Sequence, residues 1–285
     1  METNSRLTWG SDSHLIGCKM KQGRTSLMNR TLKLSSELLI MLAWREIAIR
    51  YKQSVMGFFW AILMPCLIVA AGLLVRGGMA HLSGTQLQKD SVAAIMVKSL
   101  PWAFIISSLR LSTNSLTANS NLVTRANCPR IVFPLSSVLS ALFDFGIAAI
   151  ALIIVLAVLS TPVTVHLLWV GPLMLLLVLL VSGMGIALAT ANLFFRDVKY
   201  IVEVLLTFSI FFTPVLYEAD MLGKWRTWVL LNPFAPPLEG LYSAVVRGRM
   251  PDLVWIAYSA VVSLVVAGCA WLLFRRLEPS FADCI

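Results

Sequence analysis

The chain has 285 residues, of which 58% are apolar and 13% charged, and its mean hydropathy is +0.82. A soluble globular domain carries about 25% charged residues, so this chain has too few polar side chains to cover a water-facing surface. Disordered, fibrous and nucleic-acid-binding readings are excluded on the same ground, and the net charge of +9 belongs to loops held near anionic lipid.

In chain order, residues 1–33 are polar with no h-region, and read as a disordered cytoplasmic tail rather than a signal peptide. Segment 34–53 mixes Leu38, Leu39, Leu42 and Ile47 with Glu37, Arg45, Glu46, Arg50 and Lys52, and Ser35 or Ser36 can cap its start. Trp44 and Tyr51 suit a headgroup region, so the segment reads as an amphipathic helix along the membrane surface. Apolar spans follow at about 58–75, 100–120, 136–159, 167–195, 201–217 and 253–274. Before the last span, NPFAPP (232–237) separates two apolar pieces too short to cross, WRTWVLL (225–231) and LEGLYSAVV (238–246). Two short re-entrant helices on the outer side, over 219–246, fit this pattern, and so does a flat surface hairpin. The expected fold is an all-α integral membrane protein with six transmembrane helices, forming a single transmembrane domain over 34–285.

The span at 100–120 decides the layout, because LPWAFIISSL gives way to Arg110, Asn114 and Asn119. If it crosses, both termini share one side. That side then holds 15 Lys and Arg, among them Arg125, Arg130, Arg196, Lys199, Arg275 and Arg276, against seven on the other. The positive-inside rule therefore favours six spans, N-in and C-in. The polarity of this span implies that it faces protein or a wet path. Arg110 and Asp144 are the deep charges, about 15 Å and about 12 Å from the cytoplasmic ends at 1.5 Å per residue. They are expected to form an intramembrane ion pair, since an unpaired charge at that depth is costly. Gly183, Ala187 and Ala191 allow close helix approach, either within one chain or across a dimer. Cys66 and Cys269 lie in apolar runs and read as buried, inert thiols; the other cysteines and the three histidines are scattered, with no metal spacing.

No GxxxxGK, HExxH or GxSxG occurs, and the acids form no pair for acid–base chemistry. No catalytic site, metal or cofactor is expected in this chain. The architecture suits transport, yet membrane acids are too scarce for ion coupling, which points to an external energy source.

The run WREIAIRYKQSVMGFFWAILMP (44–65) resembles the start of the first span in permeases of polysaccharide-exporting ABC transporters, the type-2 exporters of lipid-linked O-antigen, teichoic acid or capsule chains. Residues 100–145, NLFFRDVKYIVEVLLTFSIFFTPVLY (192–217), LNPFAPPLEGLYSAVVRG (231–248) and FRRLEPSFAD (274–283) follow the same pattern, in the same order, with Leu100, Pro101 and Trp102 matching the outer start of the second span. The resemblance implies a homodimer with two separate nucleotide-binding ATPase subunits, which carry the ATP and Mg, in a bacterial inner (cytoplasmic) membrane. It makes Arg45, Glu46, Arg50, Tyr51 and Lys52 a gate helix, and Asn121, Leu122, Val123, Arg125, Pro129 and Arg130 an ATPase-coupling loop. Ile131 departs from the charged residue many relatives carry after the Pro-Arg pair. The implied substrate is a polyprenyl-diphosphate-linked glycan, whose anchor stays near membrane lipid while its sugars pass between subunits. Aromatic faces suited to such a path are Phe59, Trp60, Trp102, Phe104, Phe208, Phe211, Phe212 and Tyr217. Rival readings are an ABC-2 permease for a smaller drug or lipid, a secondary transporter, and a membrane glycosyltransferase or flippase.

Overall fold

The computed structural model describes residues 36–52, 59–83, 89–125, 129–158 and 164–281. The tail at 1–33, Cys18, Cys128 and Cys284, and the side chains of Phe59, Trp60 and Arg125, lie outside the described set. Among the described residues all regular structure is helical. Helix α1 covers 36–52. It is followed by α2 (Phe59–Ser83), α3 (Lys89–Ala118), the short α4 (Ser120–Arg125), α5 (Val132–Val158), α6 (Val170–Phe194) and α7 (Val198–Phe212). Two small helices, α8 (Arg226–Leu230) and α9 (Ala235–Val245), precede α10 (Leu253–Leu277). Among the described residues, four stretches are long and apolar enough to cross a membrane: Val92–Ala118, Val132–Ala157, Val165–Phe194 and Leu253–Ser280.

The boundaries differ from expectation in two informative places. Helix α3 begins at Lys89, well before residue 100, because the charge of Lys98 is matched from another helix and can be buried. Helix α7 stops at Phe212, where Thr213 takes extended backbone and the chain turns over 213–217. Its 15 residues span only about 22 Å at 1.5 Å per residue.

Helix α6 forms the centre of the bundle, packed between α3 and α10. Its small residues make this possible. A Cβ on Gly183 would lie 2.8 Å from the Ala267 Cα, and one on Gly185 would lie 2.9 Å from Ser112. Gly183, the first small residue of the stripe, is therefore used inside the chain, against α10. Asn192, almost fully buried, fastens the C-terminal end of α6 by donating to the Thr113 carbonyl at 2.9 Å and accepting from the Lys199 backbone N–H at 3.2 Å.

Apolar side chains gather in two main clusters. The larger includes Trp102, Ile105, Leu177, Leu180, Leu238 and Leu241, joining α3 and α6 to α9. The second lies at the other end and joins α1, α4, α5, α6 and the C-terminal segment through Leu42, Val123, Phe133, Phe274 and Phe281. Thus α1, the coupling loop and the C-terminal segment share one end of the bundle. Helices α8 and α9 occupy the opposite end. Outward faces of α5 and α10 are aliphatic, with Ile150, Ile153, Val261 and Leu264 exposed. Cys66 and Cys269 are also exposed, contrary to the expectation of burial, because they fall on outward helix faces.

Substituting Gly183 with valine should force α6 and α10 apart and destabilise the protein by about 1–3 kcal/mol, seen as a lower Tm in detergent. Gly171→Ala, which meets nothing within 4 Å, should leave the Tm unchanged or slightly raised.

Candidate functional site

At the end shared by α1 and the coupling loop, α1 docks through its polar side. Glu46 accepts from Ser137 Oγ at 3.1 Å, Arg50 pairs with Asp144 and donates to Ser140 Oγ at 3.3 Å, and Tyr51 OH donates to Asp144 at 2.5 Å. Ser137, Ser140 and Asp144 are spaced three and four apart, so they share one face of α5. Glu46 and Arg50 match them four apart on α1. Arg45 donates to the side chain of Asn119, at the end of α3. Ile40, Met41 and Trp44 point away from the protein, and Lys52 is exposed. Helix α1 thus packs Leu42, Ala43 and Ile47 into the protein, seats Glu46, Arg50 and Tyr51 on polar groups of α5, and leaves Ile40, Met41 and Trp44 exposed, as a helix lying in lipid requires. Burial, partly offset by Ser137, Arg50 and Arg45, raises the Glu46 carboxyl above its ordinary range. Burial first, and then Asp144, pushes the Tyr51 phenol up.

The expected Arg110–Asp144 pair does not form. Asp144 belongs to Arg50 and Tyr51, whereas Arg110 reaches Glu203 of α7 at 3.3 Å. The depths are similar, but the directions differ. Ser108 and Ser112 on α3 are buried; Arg110, two residues from each, is turned about 200° away at 100° per residue.

The coupling-loop residues divide. Asn121 and Leu122 are exposed on α4, while Val123 is buried in the second cluster. Pro129 is exposed. Arg130 donates to the Glu278 carbonyl and lies 5.9 Å from the Phe281 ring centre, so it holds the C-terminal segment of its own chain. Ile131 packs against the same cluster, a use that a charged residue there could not serve.

The proposed aromatic path is also divided. Trp102 is 1% exposed, in the main core, and Phe104 is buried against Phe145 at 5.8 Å between ring centres. Neither can line a path. Phe208, Phe211 and Phe212 are exposed on α7, and Tyr217 is half-buried with its hydroxyl donating to the Phe211 carbonyl at 3.0 Å.

The opposite end carries a charge network that spacing did not disclose. Lys98, 1% exposed, donates to Glu239 at 3.1 Å and to the Tyr217 carbonyl at 2.6 Å. Glu239 also accepts from the Ala219 backbone N–H at 2.9 Å. Asp220 is held by Arg226 at 2.9 Å and Arg247 at 3.1 Å; Arg226 continues to Asp252 at 3.3 Å, and Arg247 to Glu218 at 2.8 Å. Asp220, Arg226, Glu239, Arg247 and Asp252 line a cavity of about 50 Å³. Burial alone would raise the Asp220 carboxyl, but hydrogen bonds and charge from Arg247 and Arg226 outweigh it and hold it below the usual carboxylate range. Gly223, at φ 52°, provides the left-handed bend between the first turn and α8. The charges therefore tie α3, α8, α9 and the start of α10 into one unit. Lys98 and Glu239, 141 residues apart, could not be matched from the sequence; an apolar stretch interrupted by one lysine was the available signal.

Fold and site together define a polytopic helical membrane protein with polar docking at one end and a charge-fastened cap at the other. Residues 37–246 match the ABC-2 type transporter family, and the chain belongs to it. It is 26% identical over 251 residues to the O-antigen export system permease protein RfbA of Klebsiella pneumoniae, covering 87% of this chain and 94% of that protein. It is 27% identical over 255 residues to RfbA of Myxococcus xanthus, covering 87% and 95%. The polysialic acid transport protein KpsM of Escherichia coli is 25% identical over 243 residues, covering 83% and 92%.

Two outcomes follow. In a double-mutant cycle, Arg50→Ala and Asp144→Ala should be coupled by about 0.5–3 kcal/mol, read from the Tm of the purified protein, whereas Arg110→Ala and Asp144→Ala should add. Asp220 is held low in the folded protein, so its stabilising contribution is present above the ordinary carboxylate pKa and is lost as pH falls through the folded value. Hydrogen exchange over 219–230, corrected for intrinsic rates, should rise on acidification, and Asp220→Asn should make it fast throughout.

Proposed function

We propose that this chain is the permease subunit of an ABC exporter that moves a lipid-linked, O-antigen-like polysaccharide across the bacterial inner membrane. The observation that carries this reading is the near full-length match to relatives named for O-antigen export and polysialic acid transport. The smaller drug or lipid substrate is not favoured. In this reading six helices cross, α2, α3, α5, α6, α7 with its following turn, and α10, with both termini in the cytoplasm. Helices α8 and α9 dip back from the outer face. Two copies assemble with two ATPase subunits, which bind ATP and Mg and supply the energy.

The chain's own residues then have separable tasks. Exposed Asn121 and Leu122 meet the ATPase, and buried Val123 passes its movement to the second cluster. That cluster includes Leu42 of α1, so a push on α4 reaches the gate helix through packed side chains. Displacing α1 breaks a few hydrogen bonds and ion pairs at its polar seat. The outer unit is braced by its charge network.

Deleting this chain from its host should abolish surface polysaccharide and leave lipid-linked glycan inside the cell, and the wild-type chain should restore export. Leu122→Asp should fold and dimerise yet fail to retain the ATPase on purification. Unchanged surface glycan in the deletion strain would contradict the proposed function.

A further inference from the structure

One face of α10 is ordered like a single lipid leaflet. Leu264, Gly268, Trp271 and Arg275 recur at spacings of four, three and four, which places them within an arc of about 60° at 100° per residue. All four are exposed. From Leu264 to Arg275 the rise is about 16 Å at 1.5 Å per residue. Half of a hydrocarbon core of about 30 Å thickness is about 15 Å. The face therefore covers one leaflet, apolar first and basic last, at the end of the bundle that carries α1.

Two local features set it apart from the aliphatic face of α5. The first is a notch. A Cβ on Gly268 would meet nothing within 4 Å, and Leu264 and Leu272, one turn to either side, are exposed. A glycine weakens a helix. Gly183 returns that cost as close packing against Ala267, whereas Gly268 packs against no other element and leaves an open groove. The second feature is charge. The Arg275 guanidinium lies 4.6 Å from the centre of the Trp271 ring, a contact that orders the cation without neutralising it. Arg50, Arg110, Arg226 and Arg247 each pair with a carboxylate, but among the described residues neither Arg275 nor its exposed neighbour Arg276 does. The carbonyls ending α10 offset only a fraction of one charge.

Charge complementarity selects the occupant. A phosphate accepts from guanidinium donors in a bidentate geometry, and a tryptophan suits the level between headgroup and acyl chain. An anionic phospholipid supplies the phosphate at Arg275 and Arg276 and an acyl chain for the groove over Gly268. A zwitterionic lipid cancels the phosphate charge with its own ammonium, and free phosphate has no chain. A second copy of this chain, facing α10 across a two-fold axis along the membrane normal, would bring the same arginines together. We propose that the face Leu264–Gly268–Trp271–Arg275, with Arg276, is a binding site for one anionic diacyl phospholipid of the bilayer. The site goes beyond the exporter reading and does not depend on the cargo.

The test uses the full-length chain, purified in detergent and stripped of lipid. Phosphatidylglycerol in large excess over its dissociation constant should raise the Tm by about 5 °C or more, and phosphatidylcholine or inorganic phosphate should raise it far less. Arg275→Gln with Arg276→Gln should lose most of the shift. Arg196→Gln with Lys199→Gln, which removes the same charge from exposed positions before α7, should keep it. Gly268→Leu should fold with an unchanged Tm in detergent alone, because its side chain enters open space, yet lose half of the shift or more. Equal protection by phosphatidylcholine or by phosphate would overturn the inference. So would a full shift in Gly268→Leu, or equal losses in the two double variants. Protection by a polyprenyl phosphate but not by phosphatidylglycerol would give the face to another lipid and overturn it too. Disulfide cross-linking of Leu264→Cys to its counterpart, in a variant lacking the native cysteines, would make the face a subunit contact, with the same consequence. None of these outcomes touches surface glycan, so the exporter reading stands or falls separately.

Discussion

An ionised side chain within an apolar helix must find its counter-charge on another element, and this requirement organises the bundle. Lys98 is answered by Glu239, Asp144 by Arg50 and Tyr51, and Arg110 by Glu203. Removing one member of a buried pair strands the other, which is far more destabilising than losing a surface ion pair. The pairs therefore specify which elements meet. Lys98 selects α9 for the N-terminal part of α3, and Asp144 selects α1 for the first half of α5. The Arg110 pair is the exception, because it is half exposed and marks the polar side of the bundle.

The two ends are built differently. At the end that carries α8 and α9, Asp220, Arg226, Arg247, Glu218 and Asp252 form a connected network, and the chain between α7 and α10 is fastened at several points. At the end that carries α1, this helix rests on separate contacts to Ser137, Ser140, Asp144 and Asn119. The apolar cluster around Val123, Leu42 and Phe274 joins this seat to the exposed face of α4.

Much of this was legible in the amino-acid order, because hydropathy and charge bias report depth along a helix. The helical class, α1, the break at NPFAPP and the polar character of residues 100–120 all follow from local composition. Rotation about a helix axis does not. Arg110 and Asp144 lie at similar depth, yet α3 turns Arg110 toward α7 while α5 turns Asp144 toward α1. Trp102 and Phe104 look like path aromatics by type, but their positions on α3 face the core. Arg130 has the charge of a docking residue, yet it holds the Glu278 carbonyl. Lys98, Glu239 and Asn192 were missed because each acts through a partner more than 70 residues away, a distance that no motif spans.

The central claim is that paired charges allow a semi-polar α3 to cross the bilayer and leave α4 on the motor side. Single cysteines at Leu122 and Trp225, labelled by an impermeant thiol reagent in intact cells and in inside-out vesicles, test it directly. The account predicts that Trp225→Cys reacts only from outside and Leu122→Cys only in inverted vesicles. Labelling of Leu122→Cys in intact cells would place the coupling helix on the wrong side and contradict the account.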